Sequence, residues 1–437
     1  MAYIQNVLDD LTCKYSHQPE FLEAVTEVFD SISPLLQKEP KYEQHKILER
    51  ISEPEKIIKF RIVWERDDGT IEVNRGTRVQ FCSALGPYKG GLRFEKGVNL
   101  STLKFLGFEQ AFKNSLTGLM LGGAKGGSDF DPKGKSDREI MRFCKAFIIA
   151  LAPHIGAHTD IPAGDIGVGE REIGYMFGEY KKITGLFDGT LTGKSPLFGG
   201  SYGRREATGY GAVYFAQAML ANHGLGFEGK RCIVSGSGNV AIYAMEKLQE
   251  LGAKVIACSD RGGVLVDNDG INIDKIKQIK EIDRTSLALY GEGSYGLMKI
   301  TDIQCDYAFF CATQNEVDVD GAKAMLSNGV KAVVEGANMP LTNEAADMLI
   351  SSGVLYAPSK AANAGGVAVS GLEMGQDALF LQSLKAEIDA KLKSIMQNIF
   401  DECKKAAKEF GNEKNIKMGA NVAGFRRVAD AIIKQGL

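Results

Sequence analysis

Apolar residues recur at helical spacing near the start of the chain, at Phe21, Val25, Val28, Phe29 and Ile32, and Pro34 closes the run. The first 60 residues therefore read as helices. Between residues 57 and 85 the period shortens to that of extended chain. Phe60–Trp64 leads into Asp68-Gly69, a hairpin signal, and Ile71–Val73 returns; Val79–Cys82 is a further strand. Ser101 is the expected N-cap of a helix reaching Leu116. Ser136, with Glu139 three positions on, predicts a capping box for a helix over Asp137–Leu151. Residues 160–169 are rich in turn formers.

Beyond residue 200 the texture changes. A helix is predicted over 206–222, then a strand at Lys230–Ser235, a helix at Val240–Leu251 and a strand at Lys254–Asp260. Tyr307–Cys311, Ala332–Glu335 and Val354–Tyr356 read as buried strands, and the tail from residue 371 as helices. Strands alternating with helices imply an α/β chain with a parallel, doubly wound sheet. The run Phe198-Gly-Gly-Ser-Tyr-Gly203 offers a hinge. The expected organisation is thus 1–199, 200–370 and a C-terminal helical segment 371–437 returning across the hinge, with a cleft between the two main domains.

Composition removes several function classes. The chain has 437 residues, 44% hydrophobic and 24% charged, with a formal net charge of −3. A basic excess is what nucleic-acid or membrane-surface binding needs, and it is absent, so neither partner is expected. No apolar run approaches the roughly 20 residues a bilayer requires, and the N-terminus carries Asp9 and Asp10 without a signal-like pattern. A soluble, cytoplasmic protein is the expectation. The eight cysteines are scattered without a C-x-x-C pair, which fits a reducing compartment. His154 and His158 sit four apart, but Pro153 and Gly156 interrupt the helix such a ligand pair needs, so no metal site is expected.

Glycine, at 51 residues, is the informative excess. One cluster, Gly236-Ser-Gly-Asn-Val-Ala241, follows the strand ending at Ser235 and opens a helix. This is G-x-G-x-x-A in strand–turn–helix context. Gly236 permits the tight turn, Gly238 admits backbone to a pyrophosphate, Ala241 keeps helix and strand close, and the helix N-terminus holds phosphate. The 200–370 segment therefore reads as a Rossmann-type domain binding NAD or NADP. Asp260 closes the next strand and could bind a ribose 2′-hydroxyl, which favours NAD. Ser259 and Arg261 beside it could meet a 2′-phosphate, which favours NADP. The residues alone leave the two level.

The other clusters surround charge. Lys89 lies in Gly86-Pro-Tyr-Lys-Gly-Gly-Leu-Arg93, Lys125 in Gly122-Gly-Ala-Lys-Gly-Gly127, and Asp165 in Pro162-Ala-Gly-Asp-Ile-Gly167. Gln110 and Lys113 are three apart on one helix and share a face. Singly, a lysine reads as a solvated surface group, except that the glycines flanking Lys125 leave that reading and a functional one level. Together, lysines in a cleft hold anions. A partly desolvated lysine among other cations has its pKa lowered toward neutrality and can act in acid–base chemistry, with a carboxylate moving protons beside it.

These stretches, with Leu103–Asn114, Glu206-Ala-Thr-Gly-Tyr-Gly211, Val234–Ala241 and Lys360-Ala-Ala-Asn-Ala-Gly-Gly-Val367, resemble the hexameric glutamate dehydrogenase family and its leucine, phenylalanine and valine relatives, over nearly the whole chain. The resemblance implies reversible oxidative deamination of glutamate to 2-oxoglutarate and ammonium by a homohexamer. It makes Lys125 the catalytic lysine and Asp165 the proton-shuttling carboxylate. Lys113, with Gln110 and the Gly164 backbone, would hold the α-carboxylate, and Lys89 with Ser370 the γ-carboxylate. Thr208, Gly236, Gly238, Asn239, Val240, Asp260 and Asn363 would contact the cofactor. The fingerprint and the Cys-Ser-Asp260 run are similar to the microbial NADP-dependent branch, in which an acid at this position coexists with NADP. NADP is therefore favoured, with NAD the alternative. Arg205 and Arg261 depart from the family pattern near the cofactor face. The rival readings are a dehydrogenase for another amino acid, against which polar Lys89 and Ser370 argue, and a non-catalytic metabolite-binding protein, against which Lys125 and Asp165 argue.

Overall fold

A computed structural model describes residues 2–437. The chain forms two compact units, one comprising residues up to Tyr202 with Val369–Ile388 and Asn421–Leu437, the other Gly203–Ala368 with Asp389–Ala420. Each carries one sheet.

The first sheet contains β1 (Lys56–Glu65), β2 (Ile71–Cys82), β3 (Tyr88–Phe94), β4 (Gly123–Ser128) and β5 (Asp160–Gly164), in the order β1-β2-β4-β3-β5. The hairpin turns where Asp68-Gly69 predicted, with Gly69 at φ +84°. The two strands expected at 71–73 and 79–82 are one continuous strand, β2. β3 runs parallel to both β4 and β5. Parallel neighbours need long crossovers, and helices Leu100–Leu116 and Asp137–Leu151 supply them.

The glycine-rich stretches around Lys89 and Lys125 are therefore strands, where the residue pattern predicted none, and β5 opens the segment read as turns. Low β propensity hid them. Their glycines serve close approach of backbone to backbone. A Cβ at Gly90 would lie 1.6 Å from the Ala124 carbonyl oxygen, and one at Gly123 would lie 2.6 Å from Ala111 Cα on the first crossover helix. That helix is capped by Asn99, whose side chain accepts the Thr102 N–H, rather than by Ser101, which donates to the Glu20 carboxylate. The Ser136–Glu139 capping box forms as expected. Phe94, Phe130, Phe143 and Phe147 pack with Trp64 into an aromatic core between the sheet and helix Asp137–Leu151.

The second sheet contains β6 (Arg231–Ser235), β7 (Lys254–Asp260), β8 (Gly263–Val266), β9 (Ser294–Gly296), β10 (Tyr307–Phe310), β11 (Ala332–Glu335) and β12 (Leu355–Ala357), in the order β12-β11-β10-β6-β7-β8-β9. The first five in that order are parallel, the doubly wound arrangement of a Rossmann-type fold. β8 and β9 extend the edge antiparallel, an addition the alternating pattern did not reveal because both strands are flanked by glycines and no helix separates β7 from β8. The tail helices are Gly365–Leu379, Lys385–Glu409 and Ile416–Gln435, the first starting ahead of residue 371. Seven of the eight cysteines are buried, all as free thiols, and Cys13 is exposed. Among the described residues no helix is long and apolar enough to cross a membrane.

One fully buried ion pair organises the first sheet. Arg78 on β2 donates through Nε and Nη2 to the Asp160 carboxylate at 2.9 and 2.5 Å, and through Nη1 to the carbonyls of Gly90 and Gly91 at 3.1 and 3.4 Å. Gln80 donates to the same carboxylate at 2.9 Å. Removing one partner of such a pair strands a charge and costs about 3–5 kcal/mol, whereas replacing both by apolar groups is often neutral. Arg78→Met should therefore lower the urea midpoint sharply, and Arg78→Met with Asp160→Leu should recover much of the loss. A double variant no more stable than the single one would contradict this account.

Candidate functional site

In the first unit β3, β4 and β5 carry the predicted polar residues. Lys125, buried on β4, donates from Nζ to Asp165 Oδ1 at 2.7 Å. Asp165 follows directly on β5, and its other oxygen accepts from Arg93 Nε of β3 at 2.8 Å. Only glycine fits between them. A Cβ at Gly91 would lie 2.8 Å from Asp165 Cβ and 3.3 Å from Lys125 Nζ. Gly164 is tight as well, with a Cβ there 2.6 Å from the Val168 carbonyl oxygen.

The electrostatics of this triad are uneven. Burial drives the Asp165 carboxyl upward, but the Lys125 and Arg93 cations outweigh it and hold the group well below the usual carboxylate range. Burial lowers Lys125, the Asp165 charge opposes that, and the guanidiniums of Arg93 and Arg78 reinforce it, so the ammonium loses its proton more readily than an ordinary lysine. Attraction within the pair is thus complete on the acid side and overridden on the base side. The result is a poised amine beside a fixed anion.

Lys89, 1% exposed, donates from Nζ to the Ile161 carbonyl at 3.1 Å and to Thr192 Oγ1 at 2.8 Å. The crossover helix places Gln110 against β3, its Cγ 3.4 Å from where a Gly90 Cβ would stand, with Lys113 one turn on and half-buried. Asn114 fixes this helix end, donating to the carbonyls of Lys89 at 3.1 Å and Gly122 at 2.5 Å. Ser370 lies on helix Gly365–Leu379, 1% exposed, and its Oγ has no protein partner. A buried hydroxyl left unpartnered costs free energy, and a ligand polar group would remove that cost.

In the second unit the glycine turn has the shape a dinucleotide needs. Gly236 sits at φ +85°, its N–H donating to Ser259 Oγ at 2.8 Å, and a Cβ at Gly238 would meet nothing within 4 Å. No side chain caps helix Asn239–Glu250 at Gly238, so its first N–H groups are open to an anion. Val240 packs close by, its Cγ1 3.2 Å from a Gly336 Cβ position. Thr208 abuts Gly366 in the same way, its Oγ1 2.6 Å from a Cβ placed there. Asn363 donates to the Ala337 carbonyl at 3.1 Å and to Asn338 Oδ1 at 2.9 Å, leaving its own Oδ1 buried without a partner.

Asp260 is committed within the chain. It accepts from Leu287 N and Tyr295 OH at 2.8 Å, Gly262 N at 3.0 Å, and Lys280 Nζ and Ser286 Oγ at 3.3 Å. Burial opposes its charge, but these donors hold the carboxyl near 2. Arg205, a departure from the family pattern, is likewise engaged. It exchanges hydrogen bonds with Asn239 and pairs with Glu281 at 2.8 Å. Arg261 is exposed. Among the described residues no cluster of three metal-ligating side chains occurs.

The chain is similar to known proteins over its whole length. Residues 199–436 match the Glutamate/Leucine/Phenylalanine/Valine dehydrogenase family, and residues 54–182 match its Glu/Leu/Phe/Val dehydrogenase dimerisation domain. The chain belongs to this family. It is similar to the NADP-specific glutamate dehydrogenase of Helicobacter pylori, 53% identical over 100% of both chains, and to that of Escherichia coli, 52% identical over 99% of this chain and 98% of the relative. The structure of Plasmodium falciparum glutamate dehydrogenase superposes with a TM-score of 0.98 at 49% identity, covering 100% of this chain and 95% of the other.

For this dehydrogenase chain, several residues of the site carry no legible signal. Arg93 lies inside a quoted motif yet has no spacing that ties it to Asp165, 72 positions away. Thr192 is 103 residues from Lys89 and sits in irregular chain. Lys280, Ser286 and Tyr295 reach Asp260 only because of the unforeseen β8–β9 extension. Only the fold brings such residues together.

The triad gives a signed expectation. Removing the Asp165 charge takes away the influence that raises Lys125, so Asp165→Asn should move its protonation midpoint to lower pH. Removing a neighbouring cation acts the other way, so Arg93→Gln should move it to higher pH. The pH dependence of Lys125 modification by an amine-directed reagent, read by peptide mass spectrometry, checks both. Shifts of the same sign in the two variants would contradict the electrostatic account.

Proposed function

We propose that the chain catalyses reversible oxidative deamination of L-glutamate to 2-oxoglutarate and ammonia with NADP, and that the residues of the two sites divide that work as follows. The observation that carries the reading is the buried Lys125, held 2.7 Å from Asp165, in a unit that also buries the cation Lys89. Relatives similar over the full length are named NADP-specific glutamate dehydrogenase, which supports the same substrate and cofactor.

NADP supplies a hydride acceptor for oxidation and, reduced, a donor for amination. Gly236, Gly238, Asn239 and Val240 present the turn and helix end to its pyrophosphate, and Thr208 and Asn363 serve its remaining polar groups. Asp260, filled by its own chain's donors, is not free to grip a ribose hydroxyl, and it brings Lys280 and Ser286 to the end of β7. That arrangement favours a 2′-phosphate over the simple acidic rule for NAD.

Lys113 pairs with the substrate α-carboxylate, with Gln110 and the Gly164 backbone beside it. Lys89 and Ser370 hold the γ-carboxylate, and its oxygens satisfy the Ser370 hydroxyl. Loss of hydride from the α-carbon of the neutral amine leaves a protonated imine. Lys125, readily deprotonated, takes a proton from the water that attacks the imine carbon. Asp165 is a weak base while it is ion-paired, so it relays protons through Lys125 Nζ and returns one to the departing amine. In the amination direction the Lys125 ammonium polarises the 2-oxoglutarate carbonyl.

Assembly as a homohexamer is part of this proposal. Ile57, Val63, Ile71 and Val73 are exposed along the β1–β2 hairpin, an apolar surface that suits self-association. Light scattering coupled to size exclusion should give a mass of six chains, and a monomer would refute the assembly.

Reductive amination of 2-oxoglutarate should proceed with ammonium and NADPH and much less with NADH. Lys125→Ala and Asp165→Asn should each cut turnover by about 10²–10⁴-fold while leaving circular dichroism unchanged. Near-normal turnover in either variant, or none in the wild type with either cofactor, would overturn the reading.

A further inference from the structure

A second deeply buried ion cluster of the first unit lies apart from Lys125, Asp165 and Arg93. Lys194 Nζ donates to Glu373 Oε1 at 2.9 Å, to Asp377 Oδ2 at 2.8 Å and to the Leu191 carbonyl at 2.6 Å. The side chains of Lys194 and Glu373 are 0% exposed and that of Asp377 is 5% exposed. Glu373 also accepts the Gly193 N–H with both oxygens, at 3.1 and 2.9 Å, and the Lys194 N–H at 3.3 Å. Burial, partly offset by Lys194, pushes the Asp377 carboxyl up to about 6.

Burying three charges is a costly way to fasten a loop, and apolar packing would be at least as stable. What the cluster gives is position. Ser370, Glu373 and Asp377 are spaced three and four apart on helix Gly365–Leu379 and share one face. The loop they grip runs through Leu191, Thr192, Gly193 and Lys194, and Thr192 Oγ1 accepts the Lys89 ammonium at 2.8 Å. The loop lies so close to the helix that a Cβ at Gly189 would stand 3.0 Å from Asp377 Cβ, and one at Gly199 would stand 3.1 Å from Asp377 Oδ1. A continuous chain of contacts thus joins Lys89 to Thr192, Thr192 through the adjacent peptide to Glu373, and Glu373 along one helical turn to Ser370.

We propose that Glu373, braced by Lys194 and Asp377, is a positioning residue that sets Ser370 against Lys89, and so fixes selectivity for a substrate whose side chain ends in carboxylate. This rests on the reading of Lys89 and Ser370 as the γ-carboxylate pair. Glu373 does not touch the substrate in this account. It holds one gripping group at a fixed distance from the other, and losing it loosens the pocket for the second carboxylate while leaving the Lys125 chemistry in place.

The test is the ratio of kcat/KM for 2-oxoglutarate to that for 2-oxovalerate, which lacks the terminal carboxylate, with ammonium and NADPH. The wild type sets the reference, and Lys89→Leu with Ser370→Val defines the ratio of a destroyed carboxylate pocket. Glu373→Gln should lower the ratio by about tenfold, mostly through KM for 2-oxoglutarate, with KM for NADPH unmoved. Asp377→Asn keeps the Glu373–Lys194 pair and should shift the ratio the same way by less, which preserves the test where Glu373→Gln fails to fold. Equal losses on both keto acids, or an unchanged ratio in the folded variants, would overturn the positioning role and leave the functional reading intact. An unchanged ratio in the Lys89→Leu, Ser370→Val control, or a wild type inactive on 2-oxoglutarate, would overturn the pocket assignment and the inference with it.

Discussion

The first unit depends on one constraint: backbone must approach backbone more closely than any side chain would allow. Gly90 lies against the Ala124 carbonyl, and Gly123 lies against the helix that crosses from β3 to β4. This contact draws three parallel strands together tightly enough for Lys125 of β4, Arg93 of β3 and Asp165 just past β5 to share two hydrogen bonds. Arg78 secures it from the other side, spending three of its donors on Asp160 and on the carbonyls of Gly90 and Gly91. The same guanidinium also helps to lower the Lys125 ammonium. Structural support and reactivity are therefore one electrostatic arrangement, in which the cation that orders the sheet also tunes the amine.

A division of labour among buried charges follows. The Arg78–Asp160 pair and the Lys194–Glu373–Asp377 cluster are saturated, with their donors directed at carboxylates and carbonyls. The Lys125–Asp165–Arg93 triad is compact but leaves the lysine easily deprotonated. Ser370 and Asn363, by contrast, bury oxygens without protein partners. Buried polar groups are ordinarily satisfied, so at these two positions a polar group from a ligand would remove a cost.

The regular architecture was legible in the residues. Alternation and turn chemistry predicted the first hairpin, the Ser136 capping box, and the β6–turn–helix–β7 order around Gly236, because each is a local pattern with a local cause. β3, β4 and β5 were not legible as strands. Gly-Gly runs carry no β propensity, and the reason for them lies in a neighbour tens of residues away. Lys89, Lys125 and Asp165 stood out in the sequence through their glycine surroundings, Lys113 through the helix face it shares with Gln110, and all four through resemblance to a family. Thr192 and Glu373 had no such mark, and Arg93, though inside one of these stretches, had nothing to tie it to Asp165, since what selects all three is pairing between segments that only the fold brings together. The β8–β9 extension, flanked by glycines and lacking a helix between β7 and β8, was missed as well, and with it the donors that fill Asp260.

That filled carboxylate bears on how such a protein could change over time. At a position where an acid merely touches a ligand, a single replacement trades one ligand for another and the scaffold is indifferent. Here Asp260 ties the end of β7 to the peptide of Leu287, the phenol of Tyr295 and the turn at Gly262. Any replacement first releases a loop, and only afterwards alters what that loop recognises. The shortest mutational route between the two nicotinamide pools is thereby closed, and a lineage crossing from one to the other would have to move through the surrounding positions while this residue stood still.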